Sequence, residues 1–235
     1  MSSTTPDTGP PAKRSTYRHG NLRNALLDAA LELAREGGPD AVSLREVTRR
    51  AGVSPNAAYR HFADRAALVH GVSQAAMARV ALTMEDEIAR ATTGAAPAGA
   101  APTDAGPTDA GPTDDAAVAR ARFRAVGTGY VRFAVTEPGL FRTAFHVPAD
   151  MTYATDTTAA GAGGLTPFEL LGAALDDLVE TGLLPAERRP GAEFLAWSAV
   201  HGLAVLMIDG PLRGVTEAQA HDAGQDLIGM IERGL

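Results

Sequence analysis

Apolar residues along most of the chain recur at intervals of three and four positions, the spacing that places them on one face of an α-helix. The first stripe runs from Leu22 to Leu33 and ends at Gly37-Gly38-Pro39. No clear alternation of apolar and polar residues, the pattern of a half-buried β-strand, interrupts these stripes. The pattern therefore predicts an all-α fold with about nine helices.

Capping and turn residues set the expected helix ends. Asp64 is a candidate cap for a long helix, and Thr166 and Thr216 are each followed three residues later by Glu or Gln, which is the spacing of a capping box. After the first helix, the expected elements span about Leu44–Ala51, Pro55–His61, Asp64–Ala91, Asp115–Thr136, Leu140–Val147, Pro167–Leu183, 191–209 and Thr216–Arg233.

Low-complexity stretches divide the chain into regions. Residues 1–12 are rich in Ser, Thr and Pro, and residues 94–115 repeat short units of Pro, Thr, Asp, Ala and Gly. Such segments bury too little apolar area to offset the entropy of ordering them. We therefore expect a disordered arm at 1–12, a small domain at 13–63, and a larger one at 64–235 that contains a disordered loop at 94–115.

Composition narrows the classes of function. The 235 residues include no Cys, which excludes disulfide frameworks, Cys-based metal sites and thiol catalysis. The six His are scattered and no known catalytic motif stands in a suitable context, so we expect no enzyme, cofactor or metal site. The chain lacks a secretory signal and an apolar run long enough to cross a bilayer, so we expect a cytoplasmic protein without a membrane partner.

The formal net charge of −7 conceals an asymmetry. Residues 1–70 hold ten Lys and Arg against seven Asp and Glu, while residues 71–235 hold eleven against twenty-one. These counts give +3 and −10, which sum to −7. A cationic segment on an anionic chain favours a local contact with a polyanion, and a balance of +3 supports this only weakly.

Residues 43–62 carry the pattern of a helix-turn-helix. Two short helices are joined through Ala51-Gly52-Val53-Ser54, in which Gly52 can adopt the positive φ of a tight turn and Ser54 can cap the second helix. That helix is short enough to enter the DNA major groove with its N-terminal residues facing base edges. The same pattern also fits a helical hairpin without a nucleic-acid partner.

The segment from about Arg18 to Val69 resembles the DNA-binding domain of the TetR family of transcriptional regulators. The resemblance is carried by the first helix, the cap at Ser43, the Gly52 turn and the sequence Tyr59-Arg60-His61-Phe62. It implies a protein that binds a palindromic double-stranded DNA operator as a homodimer and responds to a small molecule. The chain departs from the family pattern at Thr48, Pro55, Asn56, Ala58 and Arg65.

DNA contacts are expected on the second helix of this motif and beside it. By the resemblance, Tyr59 and His61 contact phosphates, and Asn56, Ala57 and Arg60 are candidates for reading bases, since their side chains suit adenine, a thymine methyl and guanine. The further candidates for DNA contact are Ser43, Arg45, Ser54, Arg65 and, in a basic arm before the first helix, Arg18. The alternatives are half-buried packing for Tyr59 and His61, a solvated helix face for Asn56 and Arg60, and a solubilising tail for the arm.

The helix predicted at 191–209 is apolar almost all round, so it must be covered on every side. One side can meet its own domain and the other a second subunit. The last helix, at 216–233, would join it through a face formed by Ala220, Ala223, Leu227 and Ile231, with Gly224 allowing close approach. We expect these helices to form the homodimer interface; the alternative is that both complete a monomeric core.

The string Trp197-Ser-Ala-Val-His201-Gly202 resembles the Trp-His-Gly signature of one subclass of TetR-type C-terminal domains. By resemblance, an effector pocket lies inside the C-terminal helical body. The candidates for its walls are Phe133, Phe141, Phe145, His146, Phe168, Trp197 and His201. Inward polar groups are few, with His146 and Tyr130 the best candidates, which favours a hydrophobic or aromatic effector. Ordinary packing is the alternative for the aromatic residues, and a satisfied structural role is the alternative for His201.

The resemblance favours a repressor that leaves its operator when the effector binds. In this interpretation, the long helix from Asp64 carries the change from the effector to the DNA-binding heads. Three competing functions remain open: a transcriptional activator, a TetR-like module that binds another protein, and a helical enzyme.

Overall fold

The computed structural model describes residues 19–95, 112–146 and 155–235, and every regular element in these ranges is helical. The predicted all-α fold with about nine helices is confirmed for this part of the chain. The predicted arm at 1–12 lies outside it. The α-helices are α1 (His19–Gly37), α2 (Leu44–Ala51), α3 (Pro55–Tyr59), α4 (Arg65–Ala95), α5 (Pro112–Thr136), α6 (Pro138–Ala144), α7 (Pro167–Glu180), α8 (Ala192–Ile208) and α9 (Glu217–Gly234).

Local signals mark several helix ends where the sequence placed them. The carboxylate of Asp64 accepts the backbone N–H of Ala67 at 2.8 Å, at the start of α4. The side chains of Thr166 and Thr216 each accept the backbone N–H three residues on, and Glu169 and Gln219 complete the two capping boxes. These bonds satisfy backbone donors that have no partner within the helix itself.

The segment predicted as a loop at 94–115 is helical at both of its ends. α4 continues through Ala95 and α5 begins at Pro112, so both ends of the expected 94–115 loop are helical. Pro112 stands at the first helical position, where its missing N–H costs no intrahelical hydrogen bond. Residues 96–111 lie outside the described residues.

Helices α1, α2 and α3 form a small N-terminal head. Leu26, Ala30, Val47, Ala58 and Phe62 are all buried in its core. α4, the longest helix in the described part of the chain, begins at the head and continues into the larger helical body. The packed centre of the head is therefore continuous with the core of the body, and α4 connects the two as one unbroken helix.

α4 and α5 pack against each other as the central pair of the body. Gly129 lies where they approach most closely, because a Cβ atom added there would stand 2.7 Å from the Cα of Met84. Such a distance is shorter than any side chain tolerates, so glycine is required at this position. α7, α8 and α9 pack against α5.

α6 is short, and it joins the head to the body. A Cβ atom added at Gly139 would lie 2.3 Å and 2.4 Å from the carbonyl oxygens of Ala34 and Arg35, at the end of α1. Beside this contact, Arg35 Nε donates to the carboxylate of Glu137 at 2.8 Å. At its other end, α6 accepts a hydrogen bond from Ser73 of α4.

α8 has two apolar faces, of which only one is covered within the chain. Ala192, Ala196, Val200 and Ala204 are buried against the body. On the opposite face the exposed apolar side chains include Phe194, Leu195, Val205 and Leu206. The alternative that α8 only completes a monomeric core is therefore wrong, and the expectation that a second subunit covers this face stays a prediction.

The predicted face of α9 is rotated in the structure. Ala220, Gly224 and Ile228 are the residues buried against the body, because α9 lies along α5. Of the face predicted from the sequence, Ala220 is buried, whereas Ala223, Leu227 and Ile231 are only partly buried. Gly224 does permit close packing, but the neighbour is Val131 of the same chain at 3.6 Å.

Candidate nucleic-acid interface and aromatic cluster

The turn between α2 and α3 has the geometry that the sequence predicts. Ser43 accepts the backbone N–H of Glu46 at the start of α2. Gly52 ends α2 with φ 67° and ψ 30°, in the left-handed region that glycine adopts without strain. Thr48 is buried where the family usually has a small apolar residue, and its hydroxyl is satisfied by the carbonyl of Arg45 at 2.9 Å.

Ser54 does not cap α3 with its side chain, so the prediction that its hydroxyl satisfies free backbone N–H groups is wrong. Pro55 has no N–H to offer, and the N–H of Ala57 donates to the Ser54 backbone carbonyl at 3.0 Å. α3 also ends at Tyr59 rather than near His61. The Ser54 hydroxyl is exposed and not committed to the helix.

α3 presents a polar outer face over a buried inner one. Asn56, Tyr59 and Arg60 are exposed, with 55% of Tyr59 accessible. Ala57 and His61 are half-buried at the edge of this face. Ala58 and Phe62 point into the head, so they fix the rotation of the helix and leave the other residues accessible.

The four arginines between residues 45 and 60 fall into two groups. Arg49 pairs with Glu46, and Arg50 pairs with Glu36 and Glu46. Hydrogen bonds from these guanidinium groups lower the pKa of both Glu36 and Glu46. Arg45 and Arg60, by contrast, are exposed and form no ion pair with any residue in the described ranges, so their positive charges remain available to an external anion.

Arg65 is partly committed to the head itself. Its guanidinium donates to the carbonyls of Val42 at 2.8 Å and Pro39 at 2.7 Å, which fastens the start of α4 to the loop after α1. Only its remaining donors can reach a phosphate. Arg18, also predicted to contact DNA, lies outside the described residues.

A hydrogen-bonded aromatic cluster occupies the interior of the body. The indole N–H of Trp197 donates to the hydroxyl of Tyr130 at 3.1 Å, and that hydroxyl lies 2.8 Å from Nδ1 of His201. Because the hydroxyl has a single proton, all three groups are satisfied when Tyr130 donates to an unprotonated Nδ1. Burial raises the pKa of Tyr130 and lowers the pKa of His201, which favours these neutral forms.

Phenylalanine rings surround this triad. Phe141 stacks on His201 with ring centroids 5.7 Å apart, and the ring of Phe145 lies 4.8 Å from that of His201. Phe168 contacts Trp197 at 6.0 Å, and it also contacts Phe194, which was not among the predicted residues. Five predicted effector residues therefore meet in one cluster, which is defined as Tyr130, Phe141, Phe145, Phe168, Phe194, Trp197 and His201.

Two predicted effector residues lie apart from this cluster. Phe133 is buried, and it lines a separate cleft with residues of α4 and α9. His146 is exposed just after the end of α6. Neither residue makes a ring contact with the cluster members within the described ranges.

The described residues hold no group of three or more His, Asp or Glu side chains arranged to bind a metal ion. Among the same residues, no helix combines the length and the apolar character that crossing a bilayer requires.

Two family profiles match the chain. The profile of bacterial regulatory proteins of the tetR family matches residues 26–72, which contain the helix-turn-helix. The profile of the tetracyclin repressor-like C-terminal domain matches residues 123–230, which contain the aromatic cluster. No curated protein matches the chain.

Several solved structures share the fold. A protein of unknown function from Rhodococcus sp. RHA1 is 25% identical with a TM-score of 0.65, and the match covers 94% of this chain and 99% of that one. A TetR-family transcriptional regulator from Pectobacterium atrosepticum is 19% identical with a TM-score of 0.59, covering 94% and 97%. The TetR-family regulator PfmR from Thermus thermophilus is 18% identical with a TM-score of 0.53, covering 91% and 96%.

Proposed function

The chain belongs to the TetR family of transcriptional regulators, and from this premise we propose that it is a repressor that binds a palindromic operator as a homodimer and is released by a small hydrophobic or aromatic effector. Members of the family are DNA-binding regulators rather than enzymes, and we assign no catalytic residue. Operator binding implies that the protein works in the cytoplasm. Membership of the narrower Trp-His-Gly subclass remains a prediction from Trp197, His201 and Gly202.

The outward face of α3 is the observation that carries the DNA-binding proposal. Asn56 and Arg60 are exposed and can reach base edges in the major groove, while Tyr59 and His61 flank them as phosphate contacts. Arg45 on α2 adds an unpaired cation beside this face. Ser43 and Ser54 contribute hydroxyls near the backbone, and Arg65 and Arg18 complete the proposed set.

The uncovered face of α8 supports the homodimer. Leu195 is 69% exposed, and the exposed Val205 and Leu206 follow it on the same side of the helix. Gly202 lies between them, and a Cβ atom added there would meet nothing in its own chain. A glycine in mid-helix costs about 1 kcal/mol relative to alanine. A partner helix that crosses α8 at Gly202 explains why that cost is tolerated.

The second helix of the interface is α9, which packs against α8. Met230 of α9 is 61% exposed, and Leu227 is partly buried. Two copies of α8 and α9 then make a four-helix contact around a two-fold axis. Such a dimer presents two α3 helices to half-sites about 34–36 Å apart, one turn of DNA.

The aromatic cluster is the proposed effector site. Phe141, Phe145, Phe168 and Trp197 provide apolar surface, and His201 provides a polar group that can donate through Nε2 while Nδ1 is held by Tyr130. Phe133 and His146 take no part in this proposed site. An effector that separates these rings would move α6, which carries Phe141 and Gly139 and is followed directly by Phe145, and so would bias the position of the head.

The test begins with operator identification. Genomic fragments captured by the purified protein should contain a palindromic sequence, and gel-shift titration should then be repeated with Tyr59→Ala and with Tyr59→Phe, which keeps the ring. We expect Tyr59→Ala to weaken binding at least about tenfold while sedimentation still shows the dimer. Wild-type affinity in Tyr59→Ala would remove this residue from the interface.

Arg60 and Arg45 separate base reading from phosphate contact. Arg60→Ala should lose about 1–3 kcal/mol on the cognate operator and discriminate less against altered bases. Arg45→Ala should weaken binding to all DNA sequences alike. It should also reduce the slope of the logarithm of the binding constant against the logarithm of the salt concentration by about one. If both variants behave identically, the proposed division of roles is incorrect.

Two alternatives remain distinguishable. A reporter fused to the captured operator should be more active when the regulator is deleted; lower activity would identify an activator. If the purified protein captures no DNA fragment above background while retaining its dimer, the module is one that binds another protein.

A further inference from the structure

A cleft of about 540 Å³ opens between α4, α5 and the first turn of α9. Its walls include Arg79 and Leu82 of α4, Arg132, Phe133 and Thr136 of α5, and Glu217 of α9. None of these residues belongs to the aromatic cluster. We propose that this cleft is a second ligand site, and that it takes a small aromatic carboxylate.

The cleft exists because α4 and α5 separate on one side of their close contact. Gly129 brings α5 against the backbone of α4 at Met84. The cleft begins beside this contact, at Thr83, and extends along α4 past Leu82 to Arg79, about one and a half turns from Met84. Its volume lies within the range of about 300–1,000 Å³ that is usual for small-molecule sites.

The half-buried charge on the wall that lacks an ion pair is positive. Arg132 pairs with Glu87 at 2.8 Å, and the Glu137 carboxylate on the same wall pairs with Arg35 at 2.8 Å. Glu217 has no ion pair among the described residues, but it is exposed to solvent in the first turn of α9, where the helix dipole favours a negative charge. Arg79 is half-buried and has no ion pair among the described residues. An anionic ligand would supply the missing partner.

The apolar part of the cleft wall favours an aromatic group on the ligand. Leu82 is 43% exposed beside the buried ring of Phe133, which gives an aromatic body an apolar surface to lie against. A carboxylate matches the planar guanidinium of Arg79 through two parallel hydrogen bonds, and its single negative charge balances the single positive charge of this arginine.

The cleft also borders the connection to the head. Glu137 lines it and holds Arg35 of α1, and α4 continues from it into the head. A bound ligand should therefore change operator affinity, a consequence that rests on the proposed function. The binding site itself does not depend on that function.

Calorimetric titration with 2-naphthoate tests the site directly on the full chain. We expect saturable binding of one molecule per chain, and Arg79→Gln should raise the dissociation constant at least about tenfold, the effect of a lost charge-assisted pair. Arg90→Gln is the matched control, since Arg90 is an exposed arginine of the same helix that already pairs with Asp86 and Glu87.

The absence of Cys from the chain provides an independent readout. In the single-cysteine variant Thr136→Cys, 2-naphthoate should slow alkylation of the thiol by iodoacetamide, because Thr136 stands on the cleft wall. Three results would overturn the site: no binding of 2-naphthoate, equal affinity in Arg79→Gln and wild type, or an unprotected thiol in Thr136→Cys at saturating 2-naphthoate.

Gel shifts with and without 2-naphthoate separate the two proposals. A change in operator affinity supports the regulatory consequence. Protection of the thiol with unchanged operator affinity keeps the site and refutes its effect on DNA. Protection in a protein that binds no operator refutes the proposed function and leaves the site standing.

Discussion

Replacement of Gly202 by alanine should act in opposite directions on the single chain and on the dimer. A Cβ atom at this position meets no other atom within 4 Å, so within one chain the alanine should stabilise α8 by about 1 kcal/mol through helix propensity. At a crossing packed against a partner helix the same methyl group is overpacked, which costs about 1–3 kcal/mol per site. A two-fold dimer carries the change twice, so the dissociation constant should rise about thirtyfold or more.

Sedimentation equilibrium over a dilution series measures this dissociation constant. Urea unfolding, compared at equal chain concentrations, measures stability, since the two are linked in a dimer. Gly172→Ala is the matched control, because it makes the same change within a helix, and its Cβ would meet only a guanidinium nitrogen of Arg189 at 3.7 Å. If both variants dimerise as the wild type does and gain equal stability, no partner helix packs against Gly202.

Three further substitutions test the contact between α6 and α1, the hydrogen-bonded triad in the aromatic cluster, and the loop that Glu85 holds. Gly139→Ala should destabilise the protein by at least about 1–3 kcal/mol in urea unfolding, because its Cβ would lie 2.3 Å from a carbonyl oxygen of α1; an unchanged midpoint would contradict that contact. Burial lowers the pKa of His201, so this side chain binds a proton more tightly in the unfolded chain than in the folded one. Its contribution to the free energy of unfolding should therefore be constant above about pH 6.5 and fall on acidification. In His201→Gln, this fall should be absent from the stability measured against pH. Glu85 accepts the N–H groups of Ala162 and Gly163 at 2.9 Å each, so Glu85→Gln should speed hydrogen exchange at these two amides, whereas unchanged exchange would show that the bonds do not restrain the loop.

The sequence was sufficient wherever a short local pattern decides the structure. The cap at Asp64, the capping boxes at Thr166 and Thr216, and the positive φ at Gly52 each depend on a few adjacent residues, and all four are confirmed. The same holds for the exposed face of α3, since Ala58 and Phe62 fix its rotation through a 3.6-residue period.

Features set by packing between distant elements were not available from the sequence. Phe133 follows Tyr130 by only one turn, yet a difference of some 60° around α5 sends one ring to the cleft and the other to the aromatic cluster. The buried face of α9 also differs from the predicted one. The position of α5 decides which residues of α9 are buried, and that position could not be predicted from the sequence of α9 alone. The contact between the loop containing Gly161 and the carboxylate of Glu85 is another example, because Glu85 lies far away in sequence, on α4.

The close contact between Gly139 and the last turn of α1 affects how chimeric regulators should be designed. A chimera that exchanges heads between relatives by cutting the chain before α4 would bring a foreign α1 terminus against this chain's α6, and the carbonyls of Ala34 and Arg35 would be replaced together with the Arg35 partner of Glu137. Transplanted heads should therefore keep their response to the effector only when residues 137–139 are exchanged along with them. The transferable unit is discontinuous in sequence, and it is larger than the helix-turn-helix that reads the operator.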